Sequence, residues 1–156
     1  LANRMMFMNA FDEHFYETEF PRNSIEVEPY EKFSTLTSFE KEINKVTYKS
    51  IELVDANSWM YTAKAVLLHD IAHGFSSLEE ALSKIEANVL MIPCKQDLLQ
   101  PSRYNYKMVD ILQKQGKYAE VYEIESINGH MAGALDIHLF EKKVYEFLNR
   151  KVSSFV

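Results

Sequence analysis

Asp97 and His130 each stand in a loop that follows an apolar, strand-like run and precedes a helix-like run. Val89-Leu90-Met91-Ile92-Pro93 leads into Cys94-Lys95-Gln96-Asp97, and Glu120-Val121-Tyr122-Glu123-Ile124 leads into Ser126-Ile127-Asn128-Gly129-His130. Open α/β sheets place their ligands beyond the carboxyl ends of strands. An acid after one strand and a histidine after the next match the last two members of a Ser…Asp…His relay, in that chain order. In such a relay the carboxylate fixes the imidazole tautomer and stabilises its charged form. The imidazole takes the proton of a serine nucleophile. A lone loop aspartate is more often a solvated acid, and a histidine beside a glycine is as often a turn residue. The ordered pair is the specific signal. No Gly-x-Ser-x-Gly elbow occurs in the 156 residues, so the nucleophile is expected from outside them.

Other groups compete for a chemical role. His69 and His73 lie four apart; on one helix they would share a face and could reach one metal. His69-Asp70 taken alone resembles the core of HD-type metal phosphohydrolases. Those domains are helical throughout and need further ligands, whereas residues 88–125 here are strand-like. His73 beside Gly74 also suits a helix C-terminus, where the dipole favours a cation. No metal is therefore expected. His14 with Asp12, Glu13 and Glu17 reads as a hydrated helix face, and His138 as a structural residue of the last helix. Cys94 abuts a buried strand with no His or other paired base evident in sequence, and reads as a buried free thiol.

Composition narrows the class. A chain of 156 residues that is 47% hydrophobic and 26% charged suits a soluble globular domain. A net charge of −6 argues against nucleic acid as a main partner, which needs clustered Lys and Arg. The single cysteine excludes an internal disulfide and suits a reducing compartment. No apolar run approaches the roughly 20 residues of a membrane span. Leu1-Ala2-Asn3-Arg4 has no signal-peptide pattern and reads as the middle of a helix, so a longer protein with a missing N-terminal half is expected.

The elements that must position Asp97 and His130 follow from periodicity. Helices are expected over residues 1–19, with Phe7, Phe11 and Phe15 in line and Met5, Met6 and Met8 widening the apolar face. Others run from Thr37 or Ser38 to about Leu53, from Asn57 or Ser58 to Gly74, and from the capping box Ser77-Leu78-Glu79-Glu80 to Lys84. Trp59, Ala63, Val66, Leu67 and Ile71 stripe the third of these. Val89–Pro93 has the pattern of a strand buried on both faces. A helix capped by Ser102 and closed by Gly116, a second strand over 119–125 and a last helix to about Arg150 complete the order. Residues 1–86 are thus a helical region and residues 87–156 a β-α-β-α segment. Two parallel strands cannot bury both faces of a sheet alone.

Thr47-Tyr48-Lys49-Ser50, Asp55-Ala56-Asn57-Ser58-Trp59-Met60-Tyr61, Ser77-Leu78-Glu79-Glu80-Ala81-Leu82 and the Asp97 and Gly129-His130 loops resemble, in order and spacing, the C-terminal half of homoserine O-acetyltransferases, over about residues 37–150. The resemblance implies the C-terminal portion of an α/β-hydrolase fold: parallel strands with flanking helices, preceded by a helical lid. It implies transfer of an acetyl group from acetyl-CoA, a co-substrate rather than a bound cofactor, to the homoserine hydroxyl through an acetyl-serine. It further implies methionine biosynthesis in the cytoplasm and a homodimer associated through the lid. By position Asp97 matches the acid of the triad, His130 its base, and Tyr48 a tyrosine that helps hold the amino-acid acceptor. The family usually has arginine at position 41 to grip the acceptor carboxylate; Lys41 lacks that bidentate fork. It usually has aspartate at position 131 to meet the acceptor ammonium; Met131 cannot accept a charge-assisted bond. The relay is kept and the acceptor clamp altered. Serine-dependent acyl transfer is the expected function. Ester hydrolysis on the same fold, or another acyl acceptor, is the alternative, and a non-catalytic binding module is less favoured.

Overall fold

The computed structural model describes residues 2–20, 31–52 and 55–150, which sort into two units: residues 1–9 with 13–70, and residues 10–12 with 71–156. Residues 21–30 and Leu53, where sequence places a break, part of an irregular stretch and a helix end, lie outside the described residues.

The first unit holds four described helices: α1 (Ala2–Ala10), α2 (Glu13–Glu19), α3 (Ser38–Glu52) and α4 (Ala56–Leu68). The single helix expected over residues 1–19 is two. The ladder breaks at Phe11-Asp12 because the Asp12 N–H donates to the Ile127 carbonyl at 3.0 Å, a partner in the second unit to which residues 10–12 belong. Tyr16 anchors the first unit. Its ring lies edge-on to Phe7, Phe15 and Phe39. Its hydroxyl donates to the Phe7 carbonyl at 2.6 Å, and burial pushes the phenol up to about 12. Phe7 and Phe15 of the expected apolar face pack here, whereas Met5, Met6 and Met8 are exposed and do not widen it.

Thr37 caps α3 in a reciprocal box. Its Oγ1 accepts from the Glu40 N–H at 3.2 Å while the Glu40 carboxylate accepts from the Thr37 N–H at 2.8 Å. The cap of α4 is Asp55, not Asn57 or Ser58: its carboxylate accepts from the Ser58 N–H at 2.8 Å, which places both later residues inside the first turn. Nor does α4 reach Gly74. It ends at Leu68, where His69 turns extended and its N–H closes on Val66 O. None of its residues is buried. Trp59, Met60 and Tyr61 are consecutive and so point to different sides, which no single stripe can cover.

In the second unit, α5 (Leu78–Ser83) is capped by Ser77, whose Oγ accepts from the Glu80 N–H at 3.1 Å. Glu80 reciprocates one residue earlier than the box motif requires, accepting from the Ser76 N–H at 2.8 Å. Strand β1 (Val89–Met91) pairs in parallel with β2 (Ala119–Val121), Val89 opposite Ala119, and the register continues to an isolated bridge between Cys94 and Ile124. A parallel pair needs a long crossover, here α6 (Arg103–Lys114), which carries Val109, Ile111 and Leu112 into a core with Leu82 and Ala119. Gly116, at φ +76°, lets the chain turn away as expected. Ser102 occupies the cap position of α6 but makes no side-chain cap bond, and Tyr104 is exposed. Strand β1 is half-buried rather than buried on both faces, because only two strands pair among the described residues.

After β2 come a 3₁₀ turn (Gly129–Met131), α7 (Ala132–Leu135), a second 3₁₀ turn (Ile137–Leu139) and α8 (Glu141–Leu148). Phe147 of α8 stacks on Tyr118, and Lys143 pairs with Glu120 at 2.9 Å. A second buried cluster, Cys94, Ile124 and Ala132 with Ile92, Leu139 and Phe140 against it, underlies the loops that leave the two strands. Among the described residues no helix is long and apolar enough to cross a membrane.

Candidate active site

The acid loop is set by its own backbone. After the Cys94 bridge the Asp97 N–H donates to the Cys94 carbonyl at 3.1 Å. Asp97 Oδ1 accepts from the N–H groups of Leu99 and Gln100, both at 2.8 Å. With one oxygen taken up, the other is aimed: Asp97 Oδ2 lies 2.9 Å from His130 Nδ1. An ionised carboxylate only accepts, so Nδ1 carries the hydrogen and the imidazole lone pair resides on Nε2, across the ring. Among the described residues Nε2 has no hydrogen-bond partner. The Asp97 side chain is 10% exposed and that of His130 34%. The acid is sunk and the base reaches outward, as an acid–imidazole relay requires.

Gly129 lets the base loop come this close. Its φ is +50°, and a Cβ there would stand 2.9 Å from Ala10 O, 3.2 Å from Gln96 O and 3.3 Å from Asp12 N. Both the left-handed backbone and the crowding demand glycine. Ser126 ties the two loops together. Its N–H donates to Gln96 Oε1 at 3.0 Å, its Oγ donates to Asp136 Oδ2, and that Oγ accepts from the Asn128 N–H at 2.9 Å. Asn128 Nδ2 donates to the same Asp136 oxygen at 2.9 Å. Hydrogen bonds from Ser126, then from Asn128, hold the Asp136 carboxyl below its usual range. Cys94 is buried, as expected, with its thiol directed at Gln96 Oε1 and Ser126 O; burial pushes that thiol up. Gln96, Ser126, Asn128 and Asp136 escaped the reading of the sequence. The signal there was the small polar residues Ser126 and Asn128 just before Gly129.

Lys41 and Tyr48 lie on α3 in the first unit, both exposed. Met131 ends the 3₁₀ turn directly after His130 and is 36% exposed. The helix that would present His69 and His73 on one face stops at Leu68, which removes the premise of the metal reading. Among the described residues no three His, Cys, Asp or Glu side chains are grouped to hold a metal. His14 and His138 are exposed.

A parallel β-α-β unit with an acid beyond its first strand and a histidine beyond its second, bonded to each other, marks a portion of an α/β-hydrolase fold. No protein-family model matches the chain. It is similar to the homoserine O-acetyltransferase of Deferribacter desulfuricans, 39% identical over 103 residues, covering 66% of this chain and 27% of that protein. It is similar to that of Symbiobacterium thermophilum, 35% identical over 133 residues, covering 84% and 35%. Among solved structures it is similar to the crystal structure of homoserine O-acetyltransferase from Bacillus anthracis, with 93% identity and a TM-score of 0.92 over 99% of this chain and 41% of that one. A crystal structure of an esterase matches at 20% identity and a TM-score of 0.85, covering 94% and 40% of the two chains, which shows the shared fold. The chain belongs to the homoserine O-acetyltransferase family, and it spans only 27% and 35% of the two curated relatives' lengths.

Proposed function

We propose that the protein carrying this chain transfers an acetyl group from acetyl-CoA to homoserine through an acetyl-serine, with His130 as general base and Asp97 as the acid that orients it. One observation carries the reading: the 2.9 Å contact between Asp97 Oδ2 and His130 Nδ1, which leaves Nε2 as the proton acceptor. The serine would come from the part of the protein outside these residues. His130 Nε2 takes its hydroxyl proton as the oxygen attacks the thioester carbonyl, and gives that proton to the departing CoA sulfur. Nε2 then takes the proton of the acceptor hydroxyl as that oxygen attacks the acyl-serine, and returns it to the serine. Asp97 stabilises the imidazolium in both halves.

Tyr48, Lys41 and Met131 are proposed to face the acceptor. Lys41 would pair with its carboxylate as a point charge. The helical region 1–86 would supply the lid, with α5 packed on the core through Leu82, and residues 87–156 the closing part of the core, in a cytoplasmic homodimer. The exposed Met60, Tyr61, Leu67 and Leu68 of α4 support association through that lid. The test is the full-length protein with acetyl-CoA, with and without homoserine, reading CoA release and O-acetylhomoserine. Acetyl transfer that disappears in His130→Ala is expected. Wild-type rates in that variant would defeat the assignment, and CoA release with water as sole acceptor would make the protein a hydrolase.

A further inference from the structure

Granted the role of His130 proposed above, we infer that Asp136 is a positioning residue that fixes where the imidazole points, by tying the stretch just before Gly129 to the end of α7. One oxygen, Asp136 Oδ2, accepts from Ser126 Oγ and from Asn128 Nδ2. The clamp closes a ring of chain from residue 126 to residue 136, with His130 inside it.

The imidazole needs such help. Its bond to Asp97 is one hydrogen bond, which by itself does not fix the ring's orientation. Proton transfer tolerates displacements of only about half an ångström. Within the loop the backbone supplies two short turns, Gly129 N to Ser126 O at 3.1 Å and Met131 N to Asn128 O at 2.8 Å. These set local curvature but do not tie the loop to the turn that follows α7. Asp136 does, from a fixed place: its own N–H donates to Ala132 O at 2.9 Å, which seats it at the end of α7. Ala132 is fully buried in the cluster under the loops.

The same clamp reaches the acid. Ser126, held at its hydroxyl by Asp136, donates its N–H to Gln96, the residue before Asp97. Asp136 therefore acts on both partners of the relay through one serine, while among the described residues its carboxylate bonds to Ser126 and Asn128 and to neither Asp97 nor His130. Bonds to an ionised acceptor are stronger than neutral ones, and the depressed Asp136 carboxyl agrees with its serving as that acceptor.

The test uses the full-length protein with ¹⁵N-labelled histidine. Asp136→Ala is expected to lower kcat for acetyl transfer by on the order of 10- to 100-fold, as small misplacements of a reacting group do, without raising KM for acetyl-CoA. The Nδ1–H resonance of His130 should shift or broaden. Asp136→Asn keeps an acceptor oxygen for Ser126 and Asn128 and should recover most of kcat. Wild-type kcat with an unmoved resonance in Asp136→Ala would overturn the clamp, as would an Asp136→Asn variant as impaired as the alanine. Should Asp136→Ala not fold, Ser126→Ala removes one arm and must show the same two changes, or the inference fails. The resonance reports imidazole placement whether or not acetyl is transferred. An active His130→Ala protein would therefore defeat the relay and leave the clamp to be judged by the spectrum.

Discussion

Replacing Gly129 with alanine separates two costs that glycine avoids there, and Gly116 provides the reference. Gly116 has φ +76° and nothing within 4 Å of a built Cβ, so Gly116→Ala pays only for holding a side chain in the left-handed region. That is about 1–2 kcal/mol. Gly129 has the same sign of φ, +50°, but its Cβ would meet Ala10 O at 2.9 Å, Gln96 O at 3.2 Å and Asp12 N at 3.3 Å. All three are backbone atoms, and none can swing aside as a side-chain tip would. Forcing a methyl into a filled site costs a further ~1–3 kcal/mol. Gly129→Ala should therefore destabilise by about 2–5 kcal/mol, and by more than Gly116→Ala.

The relief has a direction. The loop must back away from Gln96, the residue before Asp97, which lengthens the 2.9 Å contact between Asp97 and His130. A fall in kcat should accompany the loss of stability in Gly129→Ala, and none should accompany it in Gly116→Ala. Urea denaturation of both full-length variants beside the wild type, with acetyl-transfer rates at a denaturant-free reference, measures both quantities. If Gly129→Ala costs no more than Gly116→Ala and turns over normally, the close approach of the two loops does not hold the relay.

Three further outcomes follow from the same geometry. In Asp97→Asn the amide oxygen can still serve Leu99 and Gln100, which turns the NH₂ toward His130 and forces the hydrogen onto Nε2. The fold should survive while kcat falls on the order of 10⁴-fold, and a variant with near-normal kcat would remove Asp97 from the relay. The depressed Asp136 carboxyl, lowered by Ser126, then Asn128, with attraction from His138, contributes stability that is full above its unfolded value of about 3.9. That contribution is lost as pH falls through the lower folded value, so the stability advantage of wild type over Asp136→Asn should be flat down to about pH 5 and shrink below about pH 4; an advantage that persists unchanged to pH 3 contradicts this. Cys94, buried with its thiol pushed up, should alkylate far more slowly in the folded protein than after denaturation, as mass spectrometry of the Cys94 peptide would show; equal rates would mean an open thiol.

What could be read from the sequence is what local patterns encode. The strands that begin at Val89 and Ala119, the helix stop at Gly116 and a cap at Thr37 depend on neighbours a few residues apart and stand as expected, although the strands end at Met91 and Val121 rather than at Pro93 and Glu125. Asp55, Asn57 and Ser58 are all cap-forming types within one turn, so propensity could not choose among them; the side chain that reaches Ser58 N decides. The break at Phe11-Asp12 was illegible because its cause, the Ile127 carbonyl, lies more than a hundred positions away. The Asp97–His130 pair was legible because each residue sits at the end of a recognisable strand. Gln96, Ser126 and Asp136 were not, since each gains meaning only from a bond across loops. Lys41, Tyr48 and Met131 entered through family resemblance alone.

The Asp97–His130 geometry depends on sheet register before it depends on the hydrogen bond that displays it. Cys94 and Ile124 lie opposite one another in the same register as Val89 and Ala119. From that common level Asp97 is three residues on and His130 six. Chains of unequal length leaving neighbouring strands cannot meet unless the longer one folds back. Here the surplus is absorbed by the turn at Ser126–Gly129, where the Gly129 N–H returns to Ser126 O and the backbone passes through positive φ. The Asp136 clamp lies across this same surplus segment. Shortening residues 125–128 by one should therefore separate the pair even with Asp97, Gly129 and His130 all retained.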